Sequence, residues 1–191
     1  MSRSPIATLL LVLAVTALSA CTTVVSEQPL GTQADPDGAK ALIGEWKAEK
    51  GRARFSDAGD GRLTVQVLPK KEGLSAPPPF TVELRHSGDI RYANLRDPDD
   101  ADALGYLFIR YKTNENGHIV GWIPDTKVFR QAIADGKLAG EILGNRISRT
   151  ILITSGQADI DAFLAGIADE DAWETNHPVV VWNPDAPDTP K

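Results

Sequence analysis

Residues 80–95, Phe80-Thr81-Val82-Glu83-Leu84-Arg85-His86-Ser87-Gly88-Asp89-Ile90-Arg91-Tyr92-Ala93-Asn94-Leu95, decide the fold class. Phe80, Val82 and Leu84 alternate with Thr81, Glu83 and Arg85. That two-residue period belongs to a strand with one apolar face and one wet face. Ser87-Gly88-Asp89 is turn chemistry, and a second strand-like run follows from Ile90 to Leu95. Two such runs with so short a link form an antiparallel hairpin.

The same pattern extends outward. Trp46 to Phe55 and Leu63 to Leu68 precede it, with Asp60-Gly61 between them; Tyr106 to Thr113 and Ile119 to Ile123 follow it, around Asn116-Gly117. Asp-Gly and Asn-Gly tolerate the positive φ that tight hairpins need. Ser75 to Pro79, with three consecutive prolines, reads as a stiff loop. Leu104 to Ile109 are apolar on both faces, so this strand is expected to be central or covered by helices. Ile151 to Ile153 and Val179 to Trp182 read as the last two strands. The expected class is mainly β (α+β): an antiparallel meander of about eight strands, strongly bent or barrel-like, with two or three packed helices.

Those helices are marked by their ends. Asp35 can cap a first one, Pro36 suits its opening position and Gly44 its end, with Leu42 and Ile43 directed at the core. Asp125 or Thr126 opens a second, in which Val128, Phe129, Ala132 and Ile133 share a face and Gly136 ends the helix. Thr154 and Gln157 have capping-box spacing before Ile160, Phe163, Leu164 and Ile167.

The N-terminus carries a different signal. Arg3 is followed by an apolar run from Ile6 to Leu18 and then by Ser19-Ala20-Cys21. A run of this length enters export machinery but falls short of the ~20 residues that span a bilayer. Leu18-Ser19-Ala20-Cys21 resembles the lipobox of bacterial lipoproteins. The resemblance implies cleavage before Cys21, diacylglycerol on its sulfur and an acylated amine. A thiolate is the nucleophile such a transfer needs, and Cys21 is the single cysteine of the chain. By the same resemblance Thr22, in place of aspartate, favours the outer membrane facing the periplasm. The expected layout is a signal peptide at 1–20, a lipidated flexible tether at 21–35, one globular domain at 36–182 and a disordered tail at 183–191.

Nineteen of the 20 basic residues and all 26 acidic ones lie beyond residue 20, so the mature net charge is −7. Nucleic acid, which demands a basic face, is not an expected partner. The membrane is, through the covalent lipid on Cys21.

Gly44-Glu45-Trp46, following a short helix, resembles the Gly-x-Trp element of lipocalins and related small barrels. There the Trp plugs the closed end of an eight-stranded up-and-down barrel, often beneath a late arginine. Gly44 and Trp46 are therefore the barrel-closing candidates, and Arg146 or Arg149 the candidate arginine. The chain departs from that family in lacking its Thr-Asp-Tyr element and in placing a helix after Ile123.

Catalytic and metal chemistry find little support. Counted from Asp97, the acidic run Asp97, Asp99, Asp100 and Asp102 puts Asp102 and Phe108 where a calcium loop needs Gly and Glu. His86, His118 and His177 form no spaced pair, and Gly-x-Ser-x-Gly and Ser-x-x-Lys are absent. No catalytic residue, metal ligand or cofactor is expected. Alternation places Tyr106, Phe108 and Arg110 on one face of their strand, opposite Leu107, Ile109 and Tyr111. Arg110 and Trp122 are the ligand-binding candidates, since a cation beside aromatics in a concave sheet suits an acidic or amphipathic ligand. The expected role is a non-catalytic binder of a small or amphipathic ligand. The alternative is an accessory partner of an envelope protein complex.

Overall fold

The hairpin at residues 80–95 forms as its alternation requires. Val82 pairs with Leu95 and Ser87 with Ile90, leaving Gly88-Asp89 as the two-residue link, with Gly88 at φ 58°. The computed structural model describes residues 21–48, 51–69, 76–96, 104–144, 148–167, 171–174 and 179–182. Among them the strands are β1 (Cys21–Ser26), β2 (Gln33–Ala34), β3 (Gly44–Ala48), β4 (Gly51–Gly59), β5 (Arg62–Leu68) and β6 (Phe80–Ser87). They continue as β7 (Ile90–Leu95), β8 (Tyr106–Thr113), β9 (Ile119–Trp122), β10 (Gly140–Gly144), β11 (Ser148–Ile153) and β12 (Val179–Trp182). The helices are α1 (Pro36–Leu42), α2 (Thr126–Ala134) and α3 (Gln157–Ala165). The protein is mainly β.

All twelve strands belong to one sheet. Successive antiparallel pairings run β3-β4-β5-β6-β7-β8-β9. β12 then joins β9 to β3, so eight strands follow one another in a circuit. On the same side of β8 as β9, residues 106 and 107 pair instead with β1, which continues into β11 and β10. This branch leaves the circuit, and among the described residues β10 pairs on one side only. The sheet as a whole is therefore not closed into a barrel.

Several expectations are corrected here. Among the described residues the sheet has twelve strands rather than about eight: Trp46 to Phe55 holds two strands, and β1, β2 and β10 are added. It is mixed rather than a pure antiparallel meander, because β1 and β11 run parallel. A parallel pair needs a long connection, and these two strands are separated by most of the chain. Residues 22–35 are not a flexible tether. Cys21–Ser26 pairs with Ser148–Ile153, and Leu30 is fully buried. The expected signal peptide at 1–20 and tail at 183–191 lie outside the described residues, as do Asp97 to Asp102, Arg146 and His177.

α1 forms as predicted: the Asp35 carboxylate accepts from Gly38 N at 2.8 Å, Pro36 opens the helix, and Gly44 follows at φ 137°. Leu42 is buried, but Ile43 turns outward. α2 is capped by Asp125. α3 lacks the capping box, since its cap is Gly156 and the Gln157 side chain is bonded to Gly31 N and Asp161. No described helix is long and apolar enough to cross a membrane.

Two apolar cores lie on opposite faces of β7 and β8. Tyr92 and Phe108 face the outer core, built with Val24, Phe129, Ile151, Ile153, Ile160 and Trp173. There Phe108 meets Phe129 and Trp173 edge-on, with ring centroids at 6.0 and 6.1 Å. The inner core holds Leu42, Trp46, Leu63, Val65, Val82, Leu84, Tyr111 and Ile119. β8 is central, as its two-sided apolar run predicts, paired with β7 on one edge and with β9 and β1 on the other; its outer-face Phe108 is buried, while its inner-face Leu107 and Ile109 are only partly buried.

Candidate functional site

The inner face of the circuit changes character along the strands. α1 packs over one end, where Ala39 and Leu42 join the inner core. Trp46 is buried beneath it and donates its indole N–H to Leu42 O at 2.7 Å. This bond fixes the indole against the helix, and Phe55 meets the ring edge-on. Trp46 therefore sits where α1 covers the circuit, and the Gly44-Glu45-Trp46 element places it there. Arg149 lies on β11, between β1 and β10, and the pairing does not carry it to Trp46.

The same end is bound by charge. Asp35, buried despite its carboxylate, accepts from Gly38 N, receives the Tyr111 hydroxyl at 3.4 Å and lies 3.2 Å from Arg91 Nε. A buried carboxylate requires such partners. Burial first, and the Asp35 charge second, push the Tyr111 hydroxyl well above the ordinary tyrosine range. Tyr111 thus remains a neutral donor, and the network ties α1 to β7 and β8.

Toward the opposite end the inward side chains lose their cover. Leu63 and Leu84, near α1, are fully buried. Further along the same faces, Val67 on β5, Phe80 on β6, Leu95 on β7, and Leu107 and Ile109 on β8 are only partly buried. These five share the inward faces of Leu63, Leu84 and Tyr111 by strict alternation. The interior is thus sealed at the α1 end and leaves an apolar wall partly accessible at the other. Apolar lining with one sealed end is the usual character of a small-molecule site.

No family model, no curated protein and no solved structure matches the chain.

Arg110 and Trp122, the predicted ligand-binding pair, are brought together. They are register partners across β8 and β9, and the Arg110 guanidinium lies 5.8 Å from the indole centroid. Lys112, two residues along the same face, places its ammonium 5.2 Å from that ring. This face is the outer one, however: Trp122 packs against the outer core, not the circuit interior. The alternation of β8 assigns its two faces, but it does not show which of them is concave. The partly buried inner wall was missed as a site. Its signal was the apolar alternation itself, which also describes an ordinary core.

His86 Nδ1 lies 3.1 Å from Gly88 O in its own turn. His118 closes the β8–β9 hairpin through its backbone bonds with Asn114. Ser87 Oγ donates to Asp161 at 3.1 Å, a bond that ties β6 to α3. Among the described residues no three His, Cys, Asp or Glu side chains gather as a metal site would require.

Proposed function

We propose that the protein is a lipid-anchored envelope lipoprotein whose eight-strand circuit serves as a lipocalin-like container for a small apolar or amphipathic ligand. The anchor reading rests on Leu18-Ser19-Ala20-Cys21 and on the absence of any second cysteine. The binding reading rests on one observation: the fall in burial of inward apolar side chains from Leu63 and Leu84 to Val67, Phe80, Leu95, Leu107 and Ile109. An apolar wall left partly open to water gains from a ligand about 25 cal/mol per Å² covered. Such sites take molecules by shape and apolar area, which suits fatty or aromatic ligands better than charged metabolites.

The test uses full-length protein purified in mild detergent and exchanged into buffer with a fluorescent fatty acid. Saturable binding, weakened by Leu95→Gln, supports the container. Absence of saturable binding to fatty-acid and aromatic probes, with no small molecule in an organic extract of the protein, sinks it. A second reading, an accessory partner in an envelope protein complex, draws on Ile142. That side chain is 45 % exposed on β10, the strand with one described neighbour. An exposed apolar residue on an edge strand invites pairing with another chain.

A further inference from the structure

We infer that the folded domain rests directly on the bilayer with its α1-capped end against the phospholipid headgroups, so that the partly open apolar wall faces away from the membrane. The inference rests on the lipid-anchor reading above, and extends it from attachment to orientation. Its basis is that Cys21 is already part of the sheet. It pairs with Ser148 on β11, while Thr22 pairs with Arg149. Val24, three residues on, is buried in the outer core. At about 3.3 Å per strand residue, the anchored sulfur and the core are separated by roughly 10 Å of backbone, which allows no excursion from the surface.

The direction follows from the register. Val25 pairs with Leu107 and Ser26 with Tyr106, in antiparallel sense. Moving back from Val25 to Cys21 is therefore moving forward along β8 from Leu107 to Tyr111. Tyr111 belongs to the end closed by α1, through its bond to Asp35. The β8–β9 hairpin, Asn114 to Gly117, lies just beyond that level. The Pro77–Pro79 segment before β6 lies at the other end, since Phe80 begins the strand that finishes at Ser87.

The surface nearest the anchor suits headgroups. Arg149 is level with Thr22 by pairing, Arg110 reaches the same level along β8, and exposed Lys112 lies one residue beyond Cys21. Both β8 cations lie against the Trp122 ring on β9. Cations beside an indole favour the phosphate zone of a bilayer, where amphipathic rings also settle. Opposing charges at this end are Glu115 in the β8–β9 hairpin, Asp37 on α1, Asp57 and Asp60 before β5 and Asp89 in the β6–β7 link, all exposed, so the covalent lipid and not net charge holds this end to the bilayer. A ligand would then enter from the aqueous compartment, not from the membrane that holds the protein.

Because the lipidated sulfur occupies the single native cysteine, one added cysteine gives a unique labelling site. Asn116→Cys and Pro78→Cys are made separately in the full chain, labelled with a fluorophore and reconstituted in phosphatidylethanolamine–phosphatidylglycerol vesicles bearing a headgroup quencher. Loss of fluorescence is expected at position 116 and not at 78. A Gly/Ser insert of about 20 residues between Cys21 and Thr22 spans roughly 25 Å and should abolish the loss at 116 while the protein still floats with vesicles. Equal quenching at both positions, or quenching at 116 that survives the insert, overturns the orientation while leaving the anchor intact. Absence of the lipid mass on Cys21, with no flotation, overturns the anchor reading and the orientation together.

Discussion

The Asn94 side chain grips Leu30 by both of its backbone polar groups, accepting from Leu30 N at 2.8 Å and donating to Leu30 O at 2.9 Å. A third bond runs from the same amide to Glu83 O. Asn94 is 1 % exposed and Leu30 fully buried, so water cannot replace these contacts. One amide on β7 thus serves as a ladder rung for a segment with no strand of its own there. Asn94→Leu keeps the volume and strands these buried backbone groups. It should destabilise the protein by about 2–4 kcal/mol in urea unfolding. A change within experimental error would show that the 27–32 segment is not held as described.

Gly105 tests whether β1 belongs to the fold. A Cβ there would stand 2.3 Å from Ser26 O, a backbone atom that cannot swing aside. Gly105→Ala should cost about 2–3 kcal/mol by overpacking. Gly117→Ala, where a Cβ meets nothing but φ is 74°, is a control for backbone strain alone and should cost about 1 kcal/mol. Equal costs for the two would mean that β1 is not seated against residue 105.

Tyr111 sets an alkaline limit. Its folded hydroxyl holds its proton more tightly than the unfolded one, so the folded state binds more protons once pH passes about 10. The stability it contributes is complete below that pH and declines as pH rises further. Tyr111→Phe should leave neutral-pH stability within about 1 kcal/mol, since the lost bond is long, and should flatten the decline above pH 10. Parallel alkaline unfolding curves for the two proteins would remove Tyr111 from this role.

Leu95 and Trp46 separate binding from folding. Leu95→Gln, on the partly open wall, should weaken an apolar probe by about tenfold, equivalent to 1.4 kcal/mol. Trp46→Phe removes the bond to Leu42 O under α1 and should lower stability by about 1–2 kcal/mol with probe affinity nearly unchanged. Titration of a fluorescent fatty acid alongside urea unfolding checks both. Loss of affinity in Trp46→Phe but not in Leu95→Gln would place the site at the wrong end.

Local sequence determined the elements whose information is local. Phe80 to Leu95 could only be a hairpin, because alternation selects the faces and Gly88-Asp89 supplies the turn. Asp35-Pro36 and Asp125 started helices, because capping depends on neighbours two or three residues away. The two-sided run in β8 required a central strand, and β8 is paired on both edges, with Phe108 in the outer core. Tertiary structure decided what depended on distant partners. Residues 22–25 are all β-branched but show no two-residue alternation, and they are strand because β11 and the start of β8 offer unpaired edges. Gln157 left its expected cap because Gly31 N and Asp161 compete for it. The register of Arg110 with Trp122 joined the predicted pair but set it on the outer face, since concavity is a property of the whole sheet and not of one strand.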